Sequence, residues 1–135
     1  MMLVLDTNVV SELRKVRLGK ADANVAAWAQ SVDAADLFIS AITVMELELG
    51  VLWLEQQVLP EFSGRTLAVD SAVAQRCARL HVPDKRGERD ALIAATALVH
   101  GMAVVTRNTA DFQPTGVALI NPWEWSDVCG AGIRT

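Results

Sequence analysis

Four carboxylates, Asp6, Glu46, Asp90 and Asp111, stand either just past a short apolar run or near the start of a helical pattern. In a parallel α/β sheet those positions share one edge, the crevice where such folds bind ligands. Carboxylates gathered there repel one another unless protons or cations compensate them. Hard divalent cations that prefer oxygen ligands, Mg²⁺ or Mn²⁺, are the natural compensation. Thr7 and Asn8 follow Asp6, and Thr106 and Asn108 precede Asp111. Such neutral hydroxyls and amides can orient carboxylates and waters around a cation.

Each carboxylate also has an ordinary reading. Asp6 can cap a helix, and Glu46 can close a capping box with Thr43, since Thr-Val-Met-Glu fits that pattern. Asp90 can complement the positive end of its helix, and Asp111 can pair with Asn108 in a capped turn. Taken singly these readings hold at least even ground; taken together, with their polar neighbours, they weaken.

The elements that must position these groups alternate. Apolar runs at 2–5, 37–39, 67–69, 103–106 and 117–120 read as strands. Helical patterns fall at 9–15, capped by Asn8 or Asp6, and at 23–32, with Val25, Trp28, Ala29 and Val32 on one face. They recur at 71–80 and at 89–100, closed by Gly101. The charged stretch 14–22, with Gly19, reads as a loop. From Thr43, Val44, Leu47, Val51, Leu54 and Val58 recur at helical steps, which predicts one long helix to residue 58, interrupted at Gly50. Leu49, Leu52, Trp53 and Leu59 widen its apolar surface and predict a second subunit packed on it. Strands alternating with helices imply an α/β, Rossmann-like fold, three layers α/β/α around a mostly parallel central sheet.

The 135 residues suit one domain; apolar residues make up 52% and charged residues 21%, as in a soluble globular chain. No apolar run approaches the ~18–20 residues of a membrane span, and no secretory leader is evident at the N-terminus. Cys77 and Cys129 are isolated, which disfavours a zinc site and suits a reducing, cytoplasmic setting. The net charge of −4 argues against a nonspecific nucleic-acid binder, yet the cations cluster at Arg14, Lys15, Arg17 and Lys20 and again at Arg76, Arg79, Lys85, Arg86 and Arg89. That separation suits a site for cations and then a polyanion, although solvated helix faces explain it as well.

At these residues the chain resembles the PIN-domain ribonucleases, and among them the VapC toxins of type II toxin–antitoxin systems, in the FitB-like branch. LDTNVVSELR at 5–14, SAITVMELELG at 40–50, ERDALIAATALVHG at 88–101, TRNTADF at 106–112 and GVALINPW at 116–123 each resemble a family block, in family order. DTN alone is weak; five ordered blocks are specific. The resemblance implies a PIN domain over 1–123, with 124–135 a tail that packs loosely by default. It puts Asp6, Glu46, Asp90 and Asp111 on the family's acidic positions and Thr7, Asn8, Thr106 and Asn108 on supporting ones. It implies Mg²⁺-dependent cleavage of RNA, a homodimer, and neutralisation by a cognate antitoxin in a hetero-oligomer. One departure stands out: similar proteins usually carry a longer segment between GVL at 50–52 and WLEQQVLPEFSGR at 53–65, whereas here Leu52 runs directly into Trp53. Either the segment is deleted or residues are missing from the sequence at that junction.

The chemistry expected of such a site is phosphodiester hydrolysis. Asp6 with Asp90 would bind the first cation, and Glu46 with Asp111 would complete a second site or hold its waters. The cation lowers the pKa of a water that attacks phosphorus in line. Arg14, Lys85, Arg86 and Arg107 are candidates to hold RNA phosphates. Neither His81 nor His100 is needed as a base, and Ser40 reads as a cap, not a nucleophile. A phosphoaspartyl receiver or haloacid-dehalogenase-like phosphatase fits less well: Asn8 stands two residues after Asp6 where a carboxylate is wanted, and a receiver's acidic pair and lysine are not evident. A non-enzymatic binding module with the same fold is disfavoured by the presence of all four carboxylates.

Overall fold

The computed structural model describes residues 1–48, 57–81 and 87–126. Its frame is a five-stranded sheet in the order β3-β2-β1-β4-β5, with every pairing parallel. The strands are β1 (Leu3–Leu5), β2 (Leu37–Ser40), β3 (Thr66–Leu67), β4 (Ala103–Val105) and β5 (Leu119–Ile120). The chain steps outward from β1 through β2 to β3, then returns to the other side of β1 for β4. The reversal puts a topological switch point between the carboxyl ends of β1 and β4.

Strand alternation divides the core between the two faces of the sheet. Leu3 and Leu5 join Val9, Val10, Trp28, Leu37, Ile39 and Val105 on one side. Val4 joins Ile93, Ala94, Ala97, Val104 and Leu119 on the other. The expected α/β/α layering is therefore present, and among the described strands the sheet is wholly parallel. The first face is covered by α1 (Thr7–Arg17) and α2 (Ala23–Ser31) and the second by α6 (Glu88–His100). Ala91, Ala94, Ala95 and Ala97 are almost wholly buried along α6, so small side chains let it sit close to its neighbours. Its end is set by Gly101, in the left-handed region at φ 67°, where a side chain would strain the backbone.

Several boundaries differ from the sequence reading, each for a local reason. Helix α1 starts at Thr7 and runs through the charged stretch to Arg17; buried Glu12 is offset by Lys15 at 3.3 Å one turn on, and Arg14, Lys15 and Arg17 complement the C-terminal dipole. Helix α3 is Ala41–Leu47, capped by the Ser40 hydroxyl, which accepts from the Ile42 amide at 3.0 Å. Ser40 is thus the cap that it was expected to be. The longer helix to 58 falls largely on 49–56, outside the described residues, as do Leu49, Leu52, Trp53 and the Leu52–Trp53 junction. Past them, Val58 is buried and a single turn, α4 (Leu59–Glu61), follows. Strand β3 lies at Thr66–Leu67 instead of 67–69, because that pair is what registers with Ile39 and Ser40.

Helix α5 (Ser71–Leu80) begins at an Asp70 cap and packs along α6. His81 is its C-cap residue. A short helix, α7 (Thr109–Phe112), follows β4. After β5, Pro122–Glu124 forms a 3₁₀ turn, and Trp125 packs against the first core, so residues just beyond 123 are held by the fold. Residues 127–135, with Cys129, are outside the described residues.

Candidate active site

The switch point is where the polar residues meet. The Asp6 amide donates to the Val105 carbonyl at 2.8 Å, extending the β1–β4 pairing by one residue and fixing where the side chain begins. Its carboxylate is buried and doubly held. One oxygen accepts from the Thr7 amide at 2.8 Å, the N-cap bond of α1, and the other accepts from the Thr106 hydroxyl at 2.7 Å. The cap reading of Asp6 is therefore true, and it does not compete with a place in the acidic cluster. Thr106 is itself oriented, since its oxygen accepts from the Asn108 amide at 3.0 Å.

Glu46 comes in from α3. Its carboxylate accepts from the Thr7 hydroxyl at 2.7 Å, and the same hydroxyl lies 3.2 Å from that of buried Thr43. Thr7 has one hydroxyl proton, so with that proton on Glu46 the contact to Thr43 is donated from the Thr43 side. The capping-box reading is overturned: Ser40 caps α3, which frees Glu46 to reach across to α1. Its other oxygen meets the Arg89 guanidinium at 3.6 Å.

Asp90 lies in the first turn of α6 and Asp111 in the first turn of α7. Both line one cleft of about 390 Å³ with Ala110, Pro114 and Thr115. Asp111 is exposed, and its tie to Asn108 is a backbone bond, amide to carbonyl, at 3.1 Å; no side-chain cap forms there. Asn8 accepts from the Arg107 amide at 3.4 Å.

The electrostatics join the four groups. Burial pushes the Asp6 carboxyl above its ordinary range, the hydrogen bonds from Thr106 and Thr7 pull it back, and the charges of Glu46 and Asp111 raise it again. Burial likewise raises Asp90, followed by the charges of Asp6, Asp111 and Glu46. Every carboxylate of the set is thus felt at Asp90, as a shared acidic pocket requires. Among the described residues no three acidic, histidine or cysteine side chains close into a ready-made metal cage. An oxygen-only donor set of this kind suits Mg²⁺ nonetheless, since that ion keeps several waters and takes one or two carboxylates.

The sequence pattern of the PIN domain matches residues 3–116, which takes in every residue of this pocket. The chain belongs to the PIN-domain family. It is similar to the VapC ribonuclease Y4jK of Sinorhizobium fredii, 40% identical over 141 positions that cover 91% of this chain and 99% of the relative. That alignment is longer than the 135-residue chain, so the relative carries positions without a counterpart here. The crystal structure of FitAcB from Neisseria gonorrhoeae superposes with a TM-score of 0.82 at 37% identity, covering 92% of this chain and 100% of that one. A toxin–antitoxin complex from Klebsiella pneumoniae gives 0.68 at 25%, covering 91% and 99%.

Of the described cations marked as RNA contacts, Arg107 follows Thr106 at the rim of this PIN pocket. Arg14 is on α1, facing an apolar groove of about 200 Å³ with Val10, Leu13 and Phe62, away from the carboxylate cleft. Lys85 and Arg86 lie outside the described residues. Two participants were missed. Thr43 is buried against Thr7, and its signal was its place one turn before Glu46. Arg89 pairs with Glu46, and its signal was its position beside Asp90.

Proposed function

We propose that this chain is a Mg²⁺-dependent endoribonuclease, Mn²⁺ serving in its place, and the toxin component of a type II toxin–antitoxin system. The observation that carries the reading is the four-carboxylate pocket at the β1–β4 switch point, with two of its members hydrogen-bonded to threonine hydroxyls. Its support from relatives is a PIN domain over most of the chain and likeness to a named VapC ribonuclease. Asp6 and Asp90 would hold the cation, with Glu46 and Asp111 completing its surroundings or a second position. A bound divalent cation supplies Lewis acidity, making a water acidic enough to attack phosphorus and neutralising charge as it builds there.

The chain's own residues do the rest. Thr106 and the Thr7 amide fix both oxygens of Asp6, so that the carboxylate needs no reorganisation on binding. Thr7 does the same for one oxygen of Glu46. Arg89, held by the other oxygen, gives that carboxylate a cationic partner of its own. The partners are an RNA substrate, a second copy of the chain and a cognate antitoxin, the last supported by likeness to the Klebsiella toxin–antitoxin complex. Leu59, 38% exposed, belongs to the apolar surface that suits a dimer. Among the described residues no helix is long and apolar enough to cross a membrane.

The test is cleavage of RNA by purified protein with added Mg²⁺, set against Asp6→Asn, Asp90→Asn and EDTA. Wild-type cleavage abolished by EDTA, restored by Mg²⁺ or Mn²⁺, and reduced at least about a hundredfold in both variants is expected. Equal cleavage by all three proteins would mark a contaminating nuclease and sink the assignment.

A further inference from the structure

Resting on the ribonuclease reading, we propose that Arg107, stacked on the Trp123 indole, is a phosphate contact for the RNA strand beside the acidic pocket, and that Trp123 is its positioning residue. The guanidinium carbon of Arg107 lies 5.2 Å from the centre of the Trp123 ring. Arg107 directly follows Thr106, the residue that holds Asp6, and its amide is tied to Asn8 at 3.4 Å. Its backbone is thus anchored at the pocket rim by residues of both β1 and β4 ends, while its side chain is exposed.

The orientation needs explaining. Of the two arginines whose backbones adjoin the pocket, Arg89 pairs with Glu46 at 3.6 Å. Arg107 makes no ion pair among the described residues. Its guanidinium lies on the indole instead. A ring face attracts the flat face of the cation and leaves the in-plane N–H fork unused, the edge that fits a phosphate with two parallel hydrogen bonds. The ring is itself fixed: Trp123 packs against the core, its amide donates to the Asn121 side chain at 3.0 Å, and its carbonyl accepts from Asn24 of α2 at 2.7 Å. The result is an exposed cation, on a backbone tied to the pocket rim, that pairs with no described carboxylate and so keeps its charge for a polyanion.

The experiment measures binding of a fluorescent, mixed-sequence single-stranded RNA oligonucleotide in EDTA, across a salt series. Arg107→Ala is expected to bind about tenfold more weakly, with the slope of log affinity against log salt shallower by about 0.7, one phosphate contact. Arg107→Lys, which keeps the charge without the fork, is expected to fall between. Trp123→Leu should weaken binding severalfold, yet add nothing in an Arg107→Ala background. Trp123→Phe keeps a ring under the guanidinium and should stay near wild type, a reading that survives if Trp123→Leu fails to fold. Unchanged affinity and slope in Arg107→Ala overturns the contact and leaves the ribonuclease reading standing. Equal losses from Trp123→Leu with and without Arg107 overturn the positioning role. Wild-type protein that binds RNA yet never cleaves it with Mg²⁺ overturns the ribonuclease reading and leaves the contact in place.

Discussion

The two sides of the acidic pocket are built differently. On the β1 side, Asp6 and Glu46 are held by threonine hydroxyls and a backbone amide, with Thr43 and Thr106 fully buried behind them. On the α6–α7 side, Asp90 and Asp111 face an open cleft, and Asp111 is exposed. The first side is fixed before any ligand arrives. The second is open to solvent and, on the proposed reading, would adjust to a cation with its waters and to a substrate. Preorganisation is concentrated where burial makes an unpartnered carboxylate costly, and adaptability is left where water already solvates the charge.

The largest test of that contrast removes one hydroxyl from the fixed side. Thr106→Val leaves one oxygen of Asp6 without its donor and the Asn108 amide without its side-chain acceptor, and it is expected to lower Mg²⁺ affinity or turnover by about 10–100-fold. Thr106→Ser should recover most of it. A loss no greater than that of Asp111→Asn would mean that the fixed side is not privileged.

A smaller effect is expected from pH. Asp6 and Asp90 are both raised above the ordinary carboxylate range, and a cation needs them ionised. Mg²⁺ affinity, followed by titration calorimetry, should therefore fall as pH drops through their raised values, at a higher pH than for isolated carboxylates. In Asp111→Asn the decline should move to lower pH, because a charge that raises both Asp6 and Asp90 is gone.

The smallest effect concerns stability. A carboxyl whose pKa is raised on folding favours the fold while protonated, and that advantage is lost as pH rises through the folded value. At neutral pH these ionised groups therefore work against folding. Asp90→Asn is expected to raise Tm by roughly 1–3 °C, modest because water screens a half-exposed site. Asp111→Asn should change Tm less. A lower Tm in Asp90→Asn would show that its charge stabilises the helix start more than its neighbours oppose it.

Much of this pocket was legible in the chain. Asp6, Thr7 and Asn8 directly after an apolar run located a strand end, and the Gly101 stop located the end of α6. Alternating runs supplied the layers. What escaped was set by partners distant in sequence. Thr43 and Glu46 carry a sound local capping pattern, and only the approach of Thr7 from α1, together with Ser40 taking the cap, reassigns them. The strand at 66–67 is two residues long, so its register comes from β2 and not from its own composition. Residues 14–17 look like a loop until the Glu12–Lys15 pair and the helix dipole are counted.

Asp6 is at once the N-cap of α1 and the deepest member of the pocket, so activity and folding are bound together in one side chain. Silencing the chain through Asp6→Ala strips a helix of its first bond and leaves the Thr106 hydroxyl without its acceptor. Removing the charge through Asp90→Asn takes away only a carboxyl that burial and its neighbours already disfavour. For anyone who needs an intact copy that lacks the proposed activity, the open side of the pocket is the place to cut.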